Sequence, residues 1–377
     1  MVIGFDAKRA FCNATGLGNY SRGIISGLAA AHPEDAFRLY TPCRKAEFAN
    51  AFDLLPNVSV KEPVPQRRGG TLWRTLGIAS DLRRHTLDLY HGLSHELPHG
   101  IPSDIATVVT IHDMAPWRYP SHFPAWDRTC YRSKMRYACQ RADLIVAVSE
   151  STKNDLMEFL DISEERIAVV GQSCHPRFWN PVLHDDTERV RATYALPSKY
   201  VVTVGTVEPR KNQLSAVRAM PKVSAEVSLL VVGHPKSYKE TVCDEIRRLG
   251  LERRVTFLQE VESKDLPALY SGAICSLYLS LYEGFGIPIL ESMCCGTPVI
   301  CSNRSSLPEV GGDAAVQVDP NDHDAIGEAI NRIADDMEYR NTLAVQSRQQ
   351  AKRFSQEVVI GDLYNVYQRL ILKGDER

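Results

Sequence analysis

Short runs rich in Val and Ile recur along the chain and alternate with longer stretches of helical periodicity. This alternation predicts βα units around a parallel sheet. Strands buried on both faces are apolar along their length, whereas the helices between them need one apolar stripe. In the first half the runs Val2 to Asp6, Phe37 to Thr41, Val58 to Lys61, Leu87 to His91, Thr107 to His112, Leu144 to Ser149 and Ile167 to Val170 predict strands. Helices are expected over residues 16–31, 71–85, 124–141 and 150–159. A second series follows at Tyr200 to Gly205, Ser228 to Gly233, Val255 to Leu258, Ile274 to Leu279, Pro298 to Cys301 and Ala315 to Val318, with closing helices over 322–334, 336–352 and 356–372. The fold class is α/β.

A chain of 377 residues exceeds what one core supports, so two doubly wound domains are expected, 1–178 and 196–355. Cys174 to Leu196, bounded by Pro176, Pro181 and Pro197 and without a sustained period, reads as the linker. Such sheets bind ligands beyond the carboxyl ends of their strands, which predicts a cleft between the domains with its chemistry in the loops after strands.

A hydrophobic content of 44% and a charged content of 24% are those of a globular chain. The net charge of -2 speaks against nucleic acid as a partner. No apolar run reaches the roughly 20 residues that span a bilayer, and Met1 to Phe5 opens a strand without a basic leader, so a soluble cytoplasmic protein is expected. Ten scattered cysteines without a C-x-x-C pair read as buried thiols of a reducing compartment. Two basic clusters, Arg67, Arg68, Arg74, Arg83, Arg84 and Arg128, Arg132, Lys134, Arg136, Arg141, have two readings. They are solvated helix faces, or a patch that draws the protein to the anionic inner face of a membrane or a lipid-phosphate acceptor.

Two constellations carry chemistry. Thr203-Val204-Gly205-Thr206-Val207-Glu208-Pro209-Arg210-Lys211-Asn212-Gln213 leaves a strand and enters a helix near Asn212. Arg210 and Lys211 are thereby expected at a helix amino terminus, where free N–H groups already favour an anion such as a diphosphate. A solvent-facing cationic pair is the plainer reading. In Glu283-Gly284-Phe285-Gly286-Ile287-Pro288-Ile289-Leu290-Glu291, Pro288 suits a first helical turn, leaving a glycine loop between two carboxylates able to accept sugar hydroxyls. Ordinary solvated or capping acids are the alternative there.

Glu283 and Glu291 form an E-x7-E pattern. With Gly205 and Arg210-Lys211-Asn212 upstream, the chain resembles the GT-B glycosyltransferases of family 4, the group 1 family, from about residue 2 to 372. The resemblance implies two Rossmann-like domains facing an interdomain cleft, with the helix from residue 356 to 377 returning to the amino-terminal, acceptor-binding domain. It gives the donor diphosphate to Arg210 and Lys211 beside Gly205. The nucleotide ribose goes to Glu291, and the transferred sugar to Glu283 with Gly284, Phe285, Gly286 and Ile287.

Gly16-Leu17-Gly18-Asn19-Tyr20 resembles the family's glycine loop near the donor phosphate and acceptor. Ile111-His112-Asp113 resembles its H-D pair, in which the His contacts the donor sugar near its hydroxymethyl group. Catalytic weight falls on Arg210, Lys211, Glu283 and His112. Asn19, Asp113, His91 and His95 are the acceptor-side candidates, with His91, His95 and His99 read as a surface loop. Ser149 to Thr152 reads as a helix cap.

Two decoys lose on physical grounds. The Gly16 loop lacks the third glycine and the strand-end acid of a dinucleotide fingerprint. His95-Glu96-Leu97-Pro98-His99 matches the zinc-peptidase string, but Pro98 opposes the helix that string requires.

The resemblance implies retaining, metal-independent transfer from a nucleotide diphosphate sugar to a glycan or lipid-linked acceptor, with no cofactor and no side chain as base. The string Glu208 to Asn212 with Tyr90-His91-Gly92-Leu93-Ser94 resembles bacterial mannosyltransferases of polysaccharide and lipopolysaccharide assembly, favouring GDP-mannose over a UDP-sugar. A nucleotide-sugar 2-epimerase or phosphorylase of the same fold, or a non-catalytic sugar-nucleotide binder, stand as alternatives.

Overall fold

The computed structural model describes residues 1–63 and 73–375, with side chains to residue 372. Arg67, Arg68 and the start of the helix expected from residue 71 lie outside the described residues. The chain divides into two units, Met1–Ser173 with Gln356–Arg377, and Cys174–Ser355.

The first unit is built on a seven-stranded parallel sheet: β1 Val2–Asp6, β2 Ala36–Tyr40, β3 Val58–Lys61, β4 Leu89–Gly92, β5 Ala106–Ile111, β6 Leu144–Ala147 and β7 Ile167–Val169. Its order is β3-β2-β1-β4-β5-β6-β7. Successive residues serve opposite faces. Leu89 and Val108 enter one apolar cluster, whereas Tyr90 and Val109 enter the other. The first cluster is completed by Val359, Ile360, Leu363 and Tyr367 of the last helix, Gln356–Asp375. Each such buried aliphatic side chain contributes roughly 1.5–3 kcal/mol against the cost of ordering the chain.

The second unit carries β8 Tyr200–Val204, β9 Ser228–Val232, β10 Val255–Leu258, β11 Ser276–Tyr278, β12 Val299–Ser302 and β13 Ala315–Val318, all parallel in the order β10-β9-β8-β11-β12-β13. Ile326, Ile330 and Ile333 of the helix His323–Asp335 recur at helical spacing and pack onto this sheet with Leu229, Val231, Leu277 and Ile300. In both units the strand order reverses beside the first strand, next to β4 and next to β11. A crevice at the carboxyl ends opens at such a switch point.

Three departures from the sequence reading have physical causes. The expected linker contains a helix, His184–Thr193, that buries only Val190 and so shows no apolar stripe. β12 begins after Pro298, which lacks an N–H for the ladder and instead accepts from the Ser276 N–H at 2.9 Å. β6 stops at Ala147, and Ser149 turns to cap the helix Glu150–Leu160, its Oγ accepting from the Thr152 N–H at 3.1 Å.

Candidate functional site

In the second unit the loops after β8 and β11 bring Arg210, Lys211 and Glu283 together. Arg210 lies 2.9 Å from Glu283 Oε2 and Lys211 lies 2.6 Å from Glu283 Oε1. Burial alone would raise the Glu283 carboxyl, but the neighbouring Lys211 and Arg210 charges outweigh it and hold the group down at about 2. Arg210 is further fixed by Glu208 at 2.9 Å and by the Tyr282 carbonyl at 2.7 Å, and Lys236 braces Glu208 from the other side at 2.6 Å. The Lys211 ammonium donates to the Tyr278 hydroxyl at 2.7 Å.

The backbone here differs from the sequence expectation. Arg210 and Lys211 occupy a short 3-10 turn, Pro209–Lys211, that precedes a helix of seven residues, Gln213–Ala219. Asn212 stands between them at a φ of 55° and donates from its side chain to the Leu279 and Pro320 carbonyls. The cations are therefore aimed by a left-handed Asn hinge and by ion pairs, more than by a helix dipole.

The loop Gly284 to Gly286 is held from below. The Ser306 hydroxyl donates to the carbonyls of Glu283 and Phe285 at 2.9 and 2.7 Å, and the Glu283 N–H donates to Ser305 at 3.0 Å. Gly286 has a φ of 118°, which a side chain rarely adopts, and it starts the helix Ile287–Cys294 with Pro288 in its first turn. Glu291 lies one turn inside, accepting from the Tyr270 hydroxyl at 3.2 Å. Burial pushes its carboxyl up to about 7, only partly opposed by Tyr270 and Arg177. The surroundings thus set the two acids of the motif far apart: near neutrality Glu283 is ionised while Glu291 still shares its proton.

In the first unit Gly16 opens the helix Gly16–Ala31 with open space around it, whereas a Cβ on Gly18 would run into the Asn13 carbonyl. Asn19 is exposed and accepts from Arg22 at 2.6 Å, and the Asp113 carboxylate accepts from the Ala115 N–H at 2.9 Å. His112 follows β5 with both ring nitrogens engaged. Nε2 donates to the Leu93 carbonyl at 2.9 Å, so Nδ1 accepts from the Gln172 amide at 3.1 Å. Burial holds this imidazole down at about 4, hence neutral.

The surface-loop reading of the histidines needs correction. His91 sits on β4, fully buried, with Nδ1 at 2.6 Å from the Tyr367 hydroxyl and Nε2 at 2.8 Å from Thr110 Oγ1. It is a core link to the last helix and offers nothing to an acceptor. His95 is buried as well, at a φ of 61°, while His99 is exposed and its ring lies tilted against that of Tyr137, centroids 3.8 Å apart. The two histidines share no helical face, which removes the zinc-peptidase geometry.

A family model described as Glycosyl transferases group 1 matches residues 185–350, and one described as Glycosyltransferase Family 4 matches residues 14–172. The O-antigen chain mannosyltransferase B of Escherichia coli is 31% identical over 94% of this chain and 96% of that relative. The chain belongs to the group 1 glycosyltransferases. This glycosyltransferase is also 28% identical to the serotype-specific mannosyltransferase WbdA of Escherichia coli, over 72% of the chain and 35% of that relative. Anabaena HepE, solved in complex with UDP and glucose, aligns with a TM-score of 0.75 at 19% identity, covering 98% of this chain and 100% of that one. The architecture is GT-B.

Several residues that hold the glycosyltransferase's site were missed from sequence. Tyr278 hides in an apolar run, and Ser305 and Ser306 carry no motif. Glu208 precedes Pro209 without a spacing that marks it. The basic clusters are also less free than they read. Arg74 is 5% exposed and paired with Asp6 and Glu96, while Arg132 donates to the Pro116 carbonyl and Arg141 to the Ile101 carbonyl. Asp322-His323-Asp324 spells a D-x-D string. Asp322 caps the helix that follows, and Asp324 pairs with Lys222 at 2.8 Å. Among the described residues no helix is long and apolar enough to cross a membrane.

Proposed function

We propose that this glycosyltransferase is a retaining mannosyltransferase that takes mannose from a nucleotide diphosphate donor, GDP-mannose ahead of a UDP-sugar, and passes it to a glycan or lipid-linked acceptor without an obligatory metal. The observation that carries the reading is the convergence of Arg210, Lys211 and Glu283 beyond β8 and β11, with Glu291 one helical turn away. The two mannosyltransferase relatives support the sugar.

Cleavage of the sugar–diphosphate bond builds negative charge on the departing phosphate as the sugar becomes oxocarbenium-like. Arg210 and Lys211 neutralise that charge. On donor binding Glu283 exchanges its cations for hydroxyls of the sugar, and Glu291 and its neighbouring Tyr270 meet the ribose. The leaving phosphate takes the acceptor proton, so the new bond forms on the face the diphosphate leaves.

Thermal-shift screening with GDP- and UDP-sugars tests the donor, since a ligand at about 100 times its Kd stabilises a fold by roughly 2.7 kcal/mol. Transfer is then followed by nucleotide release with a mannosylated acceptor, with the anomeric configuration of the product read by NMR. Inversion, loss of transfer in excess chelator, or a stronger response to UDP-glucose than to GDP-mannose would each overturn the corresponding part. Peripheral membrane contact belongs to the same reading. Trp126, 76% exposed, stands at the start of a helix that carries Arg128 and Arg136. Equal co-sedimentation of the wild type and Trp126→Ala with anionic vesicles would dismiss it.

A further inference from the structure

The ten cysteines, expected as buried thiols, do not all lie inside. Cys43 is exposed and Cys12 half-buried, and their sulfurs lie 3.1 Å apart although 31 positions separate them in the chain. Cys12 ends the helix Lys8–Cys12, and Cys43 stands in the loop just beyond β2. The two backbones that carry them are already fastened together. The Lys45 N–H donates to the Phe11 carbonyl at 3.2 Å, and the Cys43 carbonyl accepts from the Thr41 hydroxyl at 2.7 Å and from the Cys12 thiol at 3.3 Å. A disulfide holds its sulfurs at about 2.05 Å, so about 1 Å remains for the two side chains to travel.

The two thiols differ in reactivity. Burial, and then the neighbouring Cys43 sulfur, push the Cys12 thiol up to about 11, with the Lys8 and Lys45 charges opposing. At neutral pH Cys12 therefore keeps its proton, and the exposed Cys43 is the sulfur that a reagent reaches first. An open thiol backed by a partly covered one in contact with it is the arrangement of a reacting and a resolving cysteine.

The same framework carries the glycine turn. Asn13, next to Cys12, accepts on its side-chain oxygen from the Thr15 N–H at 2.7 Å and on its carbonyl from Arg22 at 3.0 Å, and that carbonyl faces Gly18. Arg22 in turn lies over the Phe48 ring at 4.1 Å, on the loop that holds Cys43.

We infer that Cys12 and Cys43 are a modification site, closing into a reversible disulfide that clasps the loop after β2 to the base of the glycine turn. The oxidant is a low-molecular-weight disulfide of the glutathione type. The Cys43 sulfur, having lost its proton, attacks one sulfur of glutathione disulfide, expels one glutathione thiolate and leaves a mixed disulfide. Cys12 then gives up its proton and attacks the Cys43 sulfur, expelling the second glutathione thiolate. Two protein thiols are oxidised, one disulfide is reduced to two thiols, and the two protons end on the released glutathiones. The mixed disulfide removes the Cys43 thiol that helped to raise Cys12, so the first step favours the second. A bond in so open a place is of the labile kind, and a thiol reductant reopens it.

The test holds full-length protein in glutathione disulfide, blocks the remaining thiols with iodoacetamide, and maps the unreduced digest by mass spectrometry beside Cys12→Ser and Cys43→Ser. The wild type should yield one linked peptide pair joining Cys12 to Cys43, two hydrogens lighter than the free peptides and released by dithiothreitol. Cys12→Ser should stop with glutathione on Cys43, whereas Cys43→Ser should leave Cys12 unmodified. On closing, amide hydrogen exchange over residues 13–19 should slow by at least about threefold.

Glutathione retained on Cys43 of the wild type without the link overturns the inference, as does a Cys174 to Cys294 bond in its place, where the sulfurs stand 3.6 Å apart. A link that dithiothreitol cannot reopen in the folded protein refutes its reversibility. A link that leaves exchange at the glycine turn unchanged refutes the clasp.

Discussion

The ammonium of Lys211 lies 2.6 Å from the Glu283 carboxylate, whose second oxygen is held by Arg210 at 2.9 Å. The two cations proposed to receive a diphosphate are therefore already paired with an acid of the protein's own. Glu283 keeps the positive charges ordered and aimed, and a donor must displace it. The exchange frees Glu283 to accept hydrogen bonds from the sugar while the phosphates take over the cations.

Glu283→Gln removes this internal competitor. The variant should bind nucleoside diphosphate about tenfold more tightly, because Lys211 then lacks an anion and Arg210 keeps only Glu208. Transfer should fall by about 100-fold, because the neutral amide accepts poorly from sugar hydroxyls. Without ligand the fold should lose roughly 1–3 kcal/mol. Calorimetry and steady-state rates decide the matter, and weaker nucleotide binding would rule out the exchange.

Lys211→Ala should cut kcat by about 100- to 1,000-fold, as expected for a group that stabilises charge in the transition state. Its effect on the fold should stay small, about 1 kcal/mol, because Arg210 continues to pair Glu283. A variant that transfers sugar at the wild-type rate, measured by nucleotide release, would remove Lys211 from the diphosphate.

Glu291 gives a pH signature. Its folded carboxyl is raised from 4.5 to about 7, so the folded state holds the proton more tightly than the unfolded one. The stability this confers is complete below the unfolded value and is lost as pH rises to about 7. Glu291→Gln should therefore melt higher than the wild type at about pH 8 and lack its decline between about pH 4.5 and 7. Nucleotide affinity should move the opposite way, strengthening as pH rises through about 7 in the wild type and staying flat in the variant. A wild-type nucleotide affinity that shows no such rise would detach Glu291 from the ribose.

Gly16 and Gly18 separate contact from packing. Gly18→Ala sets a methyl against the Asn13 carbonyl and should destabilise the first unit by roughly 2 kcal/mol or more. Gly16→Ala meets open space and should leave the fold within about 0.5 kcal/mol. Any loss of transfer in Gly16→Ala then reports a ligand near this turn. Equal melting temperatures for the two variants would contradict the described packing.

The parts legible in sequence were those written in local patterns. Strand positions followed from apolar runs, and the pairing of a β8 loop with a β11 loop followed from two motifs that each end a strand. The errors came from long-range relations. His91 looked like a loop residue because its partner Tyr367 lies 276 positions away, on a helix that covers it. Arg74 looked solvated because Asp6 lies 68 positions earlier. Lys211 and Glu283 were both foreseen as donor contacts, but no spacing rule told that they would hold each other.

The last helix sets an order on synthesis. Val359, Ile360, Leu363 and Tyr367 complete a core whose other members were made first, so the amino-terminal unit emerges from the ribosome with a face left bare. The unit made second has all its strands by residue 318 and its own helices by residue 351. The unit translated later is thus able to finish folding sooner, and the earlier one waits for the twenty residues of its closing helix.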